Sequence, residues 1–316
     1  MATTDKMDYE IPSYMVRPPT YGKWESVRLG IWNPTTKQFL GRTAKSWGGI
    51  ILFYLIFYAA LAALFAICIQ GLYLSLNENS PTWQKDQSLI GDNPGMGFRP
   101  IAKDVETAGS LVWYVASDEN SVKEWTDSLN AYLEPYTQKG GQNQKVCDYD
   151  NAAGDKVCVV EIDKWDPCTA SHNYGFNNSK PCFFIKLNKI FGWQPEIYND
   201  PSELPEDMPD DLKQHISSLN GTARNNIWVS CHGENPADKE NIGPLDYFPK
   251  SRGFASYYYP FTNKKGYLSP LVAVQLTNPK LNVLINIECR AWAKNIRYSK
   301  MKSEREGSVH LEVLID

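Results

Sequence analysis

Asp148 and Asp150 flank Tyr149 in a D-x-D triplet, a spacing at which paired carboxylates can hold the divalent cation of a nucleotide-sugar. A glycosyltransferase of that kind needs an α/β core to cradle the nucleotide, and the surrounding sequence reads as strands. The triplet also sits in the short loop between Cys147 and Cys158. His172, His215, His232 and His310 are scattered, and none has a partner at metal-ligand spacing. Gly95-Met96-Gly97 lacks the third glycine and the following helix of a dinucleotide loop. No G-x-S-x-G, H-E-x-x-H or P-loop occurs. The residues therefore predict no catalytic group, no metal site and no cofactor. A net charge of −4 with no basic stripe excludes a nucleic-acid partner.

Cysteine chemistry is better supported. Cys147, Cys158, Cys168, Cys182, Cys231 and Cys289 all follow a long apolar run, and Cys68 lies within it. An even set without C-x-x-C predicts three disulfides in an oxidising compartment rather than a zinc site. Six cysteines allow 15 pairings, of which neighbour-to-neighbour is the simplest. Cys231 and Cys289, on separate predicted strands, are expected to staple the sandwich across a long loop. Asn177-Asn178-Ser179 and Asn220-Gly221-Thr222 are glycosylation sequons on the same side, whereas Asn33-Pro34-Thr35 is excluded by its proline. Between 196 and 213, seven carboxylates alternate with Pro201, Pro205 and Pro209, and Pro195 precedes them. Without the spacing and central glycine of an EF-hand, this segment is expected to be a solvated loop rather than a calcium site.

These groups must be positioned by a membrane span and one outer domain. Residues 46–77 contain no Asp, Glu, Lys or Arg. A helix of that length exceeds the roughly 20 residues that cross a bilayer core. A cleaved signal peptide has a shorter apolar region near the start, so 46–77 predicts an uncleaved signal anchor. Seven Lys and Arg precede the run, and the next twenty residues hold only Lys85, so basic-inside topology leaves the N-terminus cytoplasmic. Within the run, Phe53 and Phe57, like Tyr54 and Tyr58, are four apart and share a helix face. Ala59, Ala63 and Ala62, Ala66 supply small-x-x-x-small spacing for a second helix. Tyrosine hydroxyls at that depth need partners that lipid does not offer, which favours docking against another protein's helices.

Residues 1–45 are polar and proline-interrupted, predicting a largely flexible cytoplasmic tail. Residues 78–105 predict an extended stalk, and 106–316 the outer domain. One helix is expected where Val122, Trp125, Leu129, Tyr132, Leu133 and Tyr136 recur, with Ser117, Asp118 or Ser121 starting it and Pro135 ending it. Segments 111–115, 157–162, 183–187, 227–231, 271–276, 283–291 and 309–315 read as strands. The fold class is therefore mainly β: a sandwich with one helix, anchored by a single transmembrane helix.

Several separate motifs resemble the β subunits of potassium-exchanging P-type ATPases, most of all the sodium/potassium pump. They are Trp32-Asn33, Gly41-Arg42-Thr43 and Ser46-Trp47, then Phe53-Tyr54-x-x-Phe57-Tyr58, Pro81-Thr82-Trp83-Gln84 and Lys180-Pro181-Cys182. The C-terminal third adds Tyr258-Tyr259-Pro260-Phe261, the stretch from Tyr267 to Gln275, and Ile287-Glu288-Cys289-Arg290-Ala291. Trp165, where leucine is usual, and Thr169-Ala170 after Cys168 depart from the family pattern.

The resemblance implies an immunoglobulin-like sandwich with disulfides Cys147–Cys158, Cys168–Cys182 and Cys231–Cys289. It implies a plasma-membrane subunit without catalytic activity, which binds the catalytic α subunit, supports its folding and delivery, and tunes potassium occlusion. It leaves room for a small single-span regulatory subunit as a further partner, besides membrane lipid. The α contacts it implies are Tyr54, Phe57 and Tyr58 in the span, and Tyr257, Tyr258, Tyr259, Pro260, Phe261, Tyr267, Leu268 and Gln275 outside. The competing class is a single-span adhesion or receptor glycoprotein.

Overall fold

The computed structural model describes residues 22–102, 109–138, 141, 143–299, 301 and 305–316. Residues 1–21, with much of the expected tail, and 103–105, the last of the expected stalk, lie outside the described residues. The chain forms two units that divide after Leu76.

In the first unit, a helix α1 (Lys23–Ile31) leads into three two-residue strands, β1 (Trp32–Asn33), β2 (Gln38–Phe39) and β3 (Arg42–Thr43), paired antiparallel in sequence order. Residues 22–45 of the expected tail thus carry local structure with no buried side chain. Local turn chemistry is the reason. The Asn33 carboxamide oxygen accepts from Thr35 N and Thr36 N at 3.0 and 3.3 Å. Leu40 and Gly41 both take positive φ (48° and 75°) between paired Phe39 and Arg42, as a two-residue type I′ hairpin requires. Trp47 Nε1 donates to Phe39 O at 2.8 Å.

Helix α2 (Ala44–Ser75) follows directly, 32 residues with no buried side chain. It starts and ends two residues earlier than 46–77. Its length of about 48 Å exceeds the ~30 Å apolar core of a bilayer.

The second unit is a β-sandwich. One sheet has the order β10-β12-β8-β4, from β4 (Met96–Arg99), β8 (Cys182–Leu187), β10 (Leu245–Phe248) and β12 (Leu271–Leu276), all antiparallel. The other has the order β11-β9-β13-β14-β5, from β5 (Leu111–Tyr114), β9 (Asn226–Gly233), β11 (Gly253–Ala255), β13 (Ile285–Trp292) and β14 (Ser308–Ile315). Its one parallel pair is β14 with β5, Ile315 opposite Tyr114. Strands β6 (Gln144–Lys145) and β7 (Val157–Cys158) pair separately. The stalk expectation fails at 96–99. There Met96 and Phe98 are buried and the backbone pairs with β8, so the segment is a sheet edge. The expected strand 157–162 shrinks to two residues.

Two layers cover the sandwich. Helix α3 (Glu119–Thr137) buries Val122, Trp125, Leu129, Leu133 and Tyr136 in the main core. Asp118 caps it by accepting from Asn120 N at 3.0 Å. Ser121 instead accepts from Val115 N, and Pro135 lies inside the last turn rather than at the end. On the five-stranded sheet, Trp228 and Trp292 are paired across β9 and β13. They pack with Met208 and with Leu212 and Ile216 of α4 (Asp210–Ser218), in a cluster separate from the main core.

The seven carboxylates of 196–213 are exposed, as expected of a solvated surface segment, but the segment is tethered and runs into α4. Asp211 pairs with Arg252 at 2.9 Å, Asp207 with Arg290 at 2.5 Å and Glu203 with Lys294 at 2.5 Å, clamping the segment to the sheet. A short helix α5 (Pro236–Asn241) completes the unit. Its buried Asp238 carboxylate accepts from Asn235 N and Asn286 N.

Three cystines are present: Cys147–Cys158, Cys168–Cys182 and Cys231–Cys289. The last does not staple one sheet to the other. Cys231 and Cys289 are direct partners on adjacent strands β9 and β13, with Cα atoms 4.0 Å apart.

Candidate functional site

The residues that could carry chemistry are occupied with local structure. The Asp148 carboxylate accepts from Asp150 N and Asn151 N at 3.0 and 2.7 Å, closing its own turn. His172 Nδ1 lies 2.7 Å from Asp166 and 3.2 Å from Ser171 Oγ. A Ser-His-Asp relay needs the serine on the nitrogen opposite the aspartate, so this cluster is no triad. Among the described residues, no group of three or more His, Cys, Asp or Glu is placed to hold a metal ion.

Two aromatic surfaces stand out. The first is on α2. Tyr54 and Tyr58 stack at 6.0 Å and Phe53 and Phe57 at 6.1 Å, while Phe53–Tyr54 and Phe57–Tyr58 meet edge-on at 5.4 Å. Four rings thus form one continuous plate, a consequence of i, i+4 spacing combined with i, i+1 adjacency. All four rings are exposed.

The second surface is a tyrosine-rich shoulder of the sandwich. After the short strand β11, Tyr257 and Tyr258 lie 4.6 Å apart, and Tyr149 meets Tyr257 edge-on at 5.2 Å. Tyr258 Oη donates to Val159 O at 3.2 Å, and Tyr149 Oη donates to the buried Asn226 carboxamide at 2.8 Å. Tyr259 packs on Trp193 at 5.6 Å, and its hydroxyl is buried with no partner among the described residues. Phe261 contacts Tyr267 at 5.0 Å and Phe191 at 6.3 Å, and Gly192 N donates to Phe261 O. The Lys189 ammonium lies 5.3 Å from both the Phe261 and the Tyr267 rings.

Burial sets the charge state of this shoulder. It pushes the Tyr149 phenol up to about 12, only partly opposed by the Asn226 hydrogen bond. Burial also raises Tyr257, Tyr258, Tyr259 and Tyr267 above the ordinary tyrosine value. Every phenol here stays neutral at physiological pH, so the surface offers ring area and uncharged hydroxyls.

The structure brings Tyr257, Tyr258, Tyr259, Pro260, Phe261, Tyr267 and Leu268 to this region, all half-buried. Gln275 is different. It is buried in β12, where its Nε2 donates to Lys180 O at 3.1 Å, so it supports the loop before β8 rather than facing another chain. Asn177 and Asn220 are both exposed. Sequence reasoning missed Tyr149, Asn226, Lys189, Phe191 and Trp193 as parts of the shoulder. Apart from the aromatic types, no local pattern signals them, because each arrives from a distant loop or strand.

The family model described as sodium/potassium ATPase beta chain matches residues 17–311. Sodium/potassium-transporting ATPase subunit beta-2 of Drosophila melanogaster is 46% identical over 312 residues, covering 96% of each chain. Subunit beta-1 of the same organism is 45% identical over 94% of this chain and 95% of its own length. Human subunit beta-2 is 28% identical over 90% of this chain and 92% of its own.

Proposed function

The chain belongs to the sodium/potassium ATPase beta chain family, and from that premise we propose that it is a non-catalytic subunit of the pump that binds the catalytic α subunit. In this reading it supports the folding, membrane delivery and stability of that subunit and tunes potassium occlusion. ATP hydrolysis and the transported ions belong to the partner. Residues before α2 are cytoplasmic, the unit from Asn77 onward faces outside at the plasma membrane, and Asn177 and Asn220 carry glycans. The charge difference across the span, three cystines and two exposed sequons support this orientation. A small regulatory subunit is a further partner by family resemblance alone.

The observation that carries the partner assignment is the four-ring plate on α2. Phenol groups within a bilayer core gain from a protein neighbour that supplies acceptors and close packing. Tyr54, Phe57 and Tyr58 are therefore assigned to α membrane helices, and Tyr257, Tyr258, Tyr259, Pro260, Phe261, Tyr267 and Leu268 to its outer surface.

The test is Tyr54→Ala with Tyr58→Ala, read as pump current against external potassium and as stability of the detergent-extracted complex. Loss at each interhelical hydrogen bond averages about 0.6 kcal/mol, so the complex survives while half-activation shifts. Leucine replacements are milder because they keep bulk. Wild-type half-activation together with wild-type detergent stability in the double alanine variant rejects the site.

A further inference from the structure

Strand register defines two ends of the sandwich. At one, Met96 pairs with Leu187, and Trp292 pairs with Trp228. Asp92 reaches Arg297 at 2.9 Å, and Asn93 exchanges hydrogen bonds with the Arg297 backbone at 2.9 and 3.1 Å, so both pairings belong to the same end. At the other, Gly233 pairs with Ile287, and Asn282 N donates to Ile315 O. Eight-residue strands separate these ends by about 26 Å.

The segment that begins at Asn77 is built onto the first end. Asn77 and Ile90 line one cleft of about 410 Å³ together with Trp83, Lys85, Lys189 and Phe261. Three large apolar side chains stand out into solvent there: Trp83, Leu89 and Ile90 are 59%, 110% and 76% exposed. Elsewhere in this unit, the exposed large hydrophobics among the described residues occur singly or, at Leu281 and Leu284, as a pair at the opposite end.

Connectivity says what covers them. The apolar run of α2 reaches Ile69, and Gln70 is the first polar side chain after it. Gly71 to Ser75 add about 7 Å of helix, close to the thickness of one headgroup layer. Asn77 is two residues beyond Ser75 and shares its cleft with Ile90. We infer that Trp83, Leu89 and Ile90 insert into the interfacial layer of the phospholipid leaflet from which α2 emerges, making this end of the sandwich a second membrane contact. Tryptophan favours that layer because its ring is apolar and its N–H remains wet. Lys85 and Lys189 on the cleft rim match headgroup phosphates in charge, with Glu78 and Asp86 beside them. The inference rests on α2 spanning the bilayer.

The test uses the chain purified with its catalytic subunit in phosphatidylcholine nanodiscs, with or without bromine atoms near the glycerol end of the acyl chains. A fluorescent probe is attached to Leu89→Cys or Leu281→Cys, each with Cys68→Ala, or to Cys68 of the unaltered chain. The expected result is that brominated lipid removes about half the emission or more at Leu89 and at Cys68 and little at Leu281, because an inserted side chain lies within reach of the acyl chains. Quenching at Cys68 without quenching at Leu89 overturns this inference alone, whether water or the catalytic subunit covers the patch. Equal quenching at Leu89 and Leu281 also overturns it, since the contact is then not confined to one end. No quenching at Cys68 removes the span and the inference together.

Discussion

Removing the Cys231–Cys289 bridge isolates a stabilisation that originates in the unfolded chain. The two cysteines are already held side by side by the β9–β13 ladder, which runs in register from Gly233 opposite Ile287 to Trp228 opposite Trp292. Cys231→Ala with Cys289→Ala leaves that ladder in place, so little native structure is lost. What changes is the denatured ensemble, which gains the freedom of a loop 58 residues long. In the chain-entropy account that freedom corresponds to about 4 kcal/mol. The Cys147–Cys158 and Cys168–Cys182 loops span 11 and 14 residues, each corresponding to about 3 kcal/mol. For a unit of this size, 1 kcal/mol moves Tm by about 2–4 °C, so the long-loop variant should fall by roughly 8–16 °C and either short-loop variant by a few degrees less. Thermal unfolding of the full chain in mild detergent, followed by near-UV circular dichroism, measures both. Peptide mapping without reductant verifies the pairs that remain. If the long-loop variant falls no further than the Cys147→Ala, Cys158→Ala variant, loop closure is not what this bridge contributes.

Burial, the larger influence, holds the His215 and His232 imidazoles below the ordinary histidine value. The unfolded chain therefore binds more protons between that value, about 6.5, and the lower folded values. Their contribution to stability is complete above this window and is lost as pH falls through it. His215→Phe and His232→Gln should each flatten the fall in Tm between about pH 7.5 and 5.5, and an unchanged slope in both refutes the assignment. Leu212 is fully buried between α4 and the Trp228–Trp292 pair. Leu212→Ala should cost about 2–5 kcal/mol, read as a denaturant midpoint, if this cluster is a true second core. Glycosidase treatment of the protein from a eukaryotic secretory pathway should remove one mass step for each sequon, and Asn177→Gln and Asn220→Gln should each abolish one of them. A glycan-free product counts against the proposed orientation.

The features legible in the sequence are those that local pattern determines. A charge-free run long enough to span a bilayer becomes α2, and the β-branched segment 271–276 coincides with β12. Alternation along 283–291 gives buried Ile285 and Ile287 facing away from half-buried Asn286 and Glu288. The features that escaped depend on distant partners. Val160 and Ile162 have strand-like composition but pack into the core from a loop over β8, where Trp165 stacks on Phe184 at 6.4 Å. The acidic stretch stays exposed as expected, but its tethering by Arg252, Arg290 and Lys294 from remote parts of the five-stranded layer was not legible. Parallel pairing of β14 with β5 joins residues about 200 positions apart, which no short window reports. The shoulder was legible only in part. Its tyrosines follow one another in sequence, whereas Tyr149, Lys189 and Trp193 reach it by tertiary folding.

The two proposed contact surfaces share a physical logic. On α2, four rings form a plate without a formal charge, as a site within a bilayer core must. On the shoulder, burial keeps five phenols neutral. Beneath that layer, the Tyr258 and Tyr149 hydroxyls donate to partners within the chain, which fixes the ring positions. Surface cations and carboxylates of the outer unit pair with one another instead, as Arg290 does with Asp207 and Lys294 with Glu203. A surface of fixed neutral rings loses little side-chain entropy on association and leaves little charge to desolvate, with the Lys189 ammonium lying against the Phe261 and Tyr267 rings. That is the physics of a long-lived subunit contact rather than of an electrostatically steered encounter. It fits a subunit assigned to stabilise its partner more closely than one that meets transient ligands.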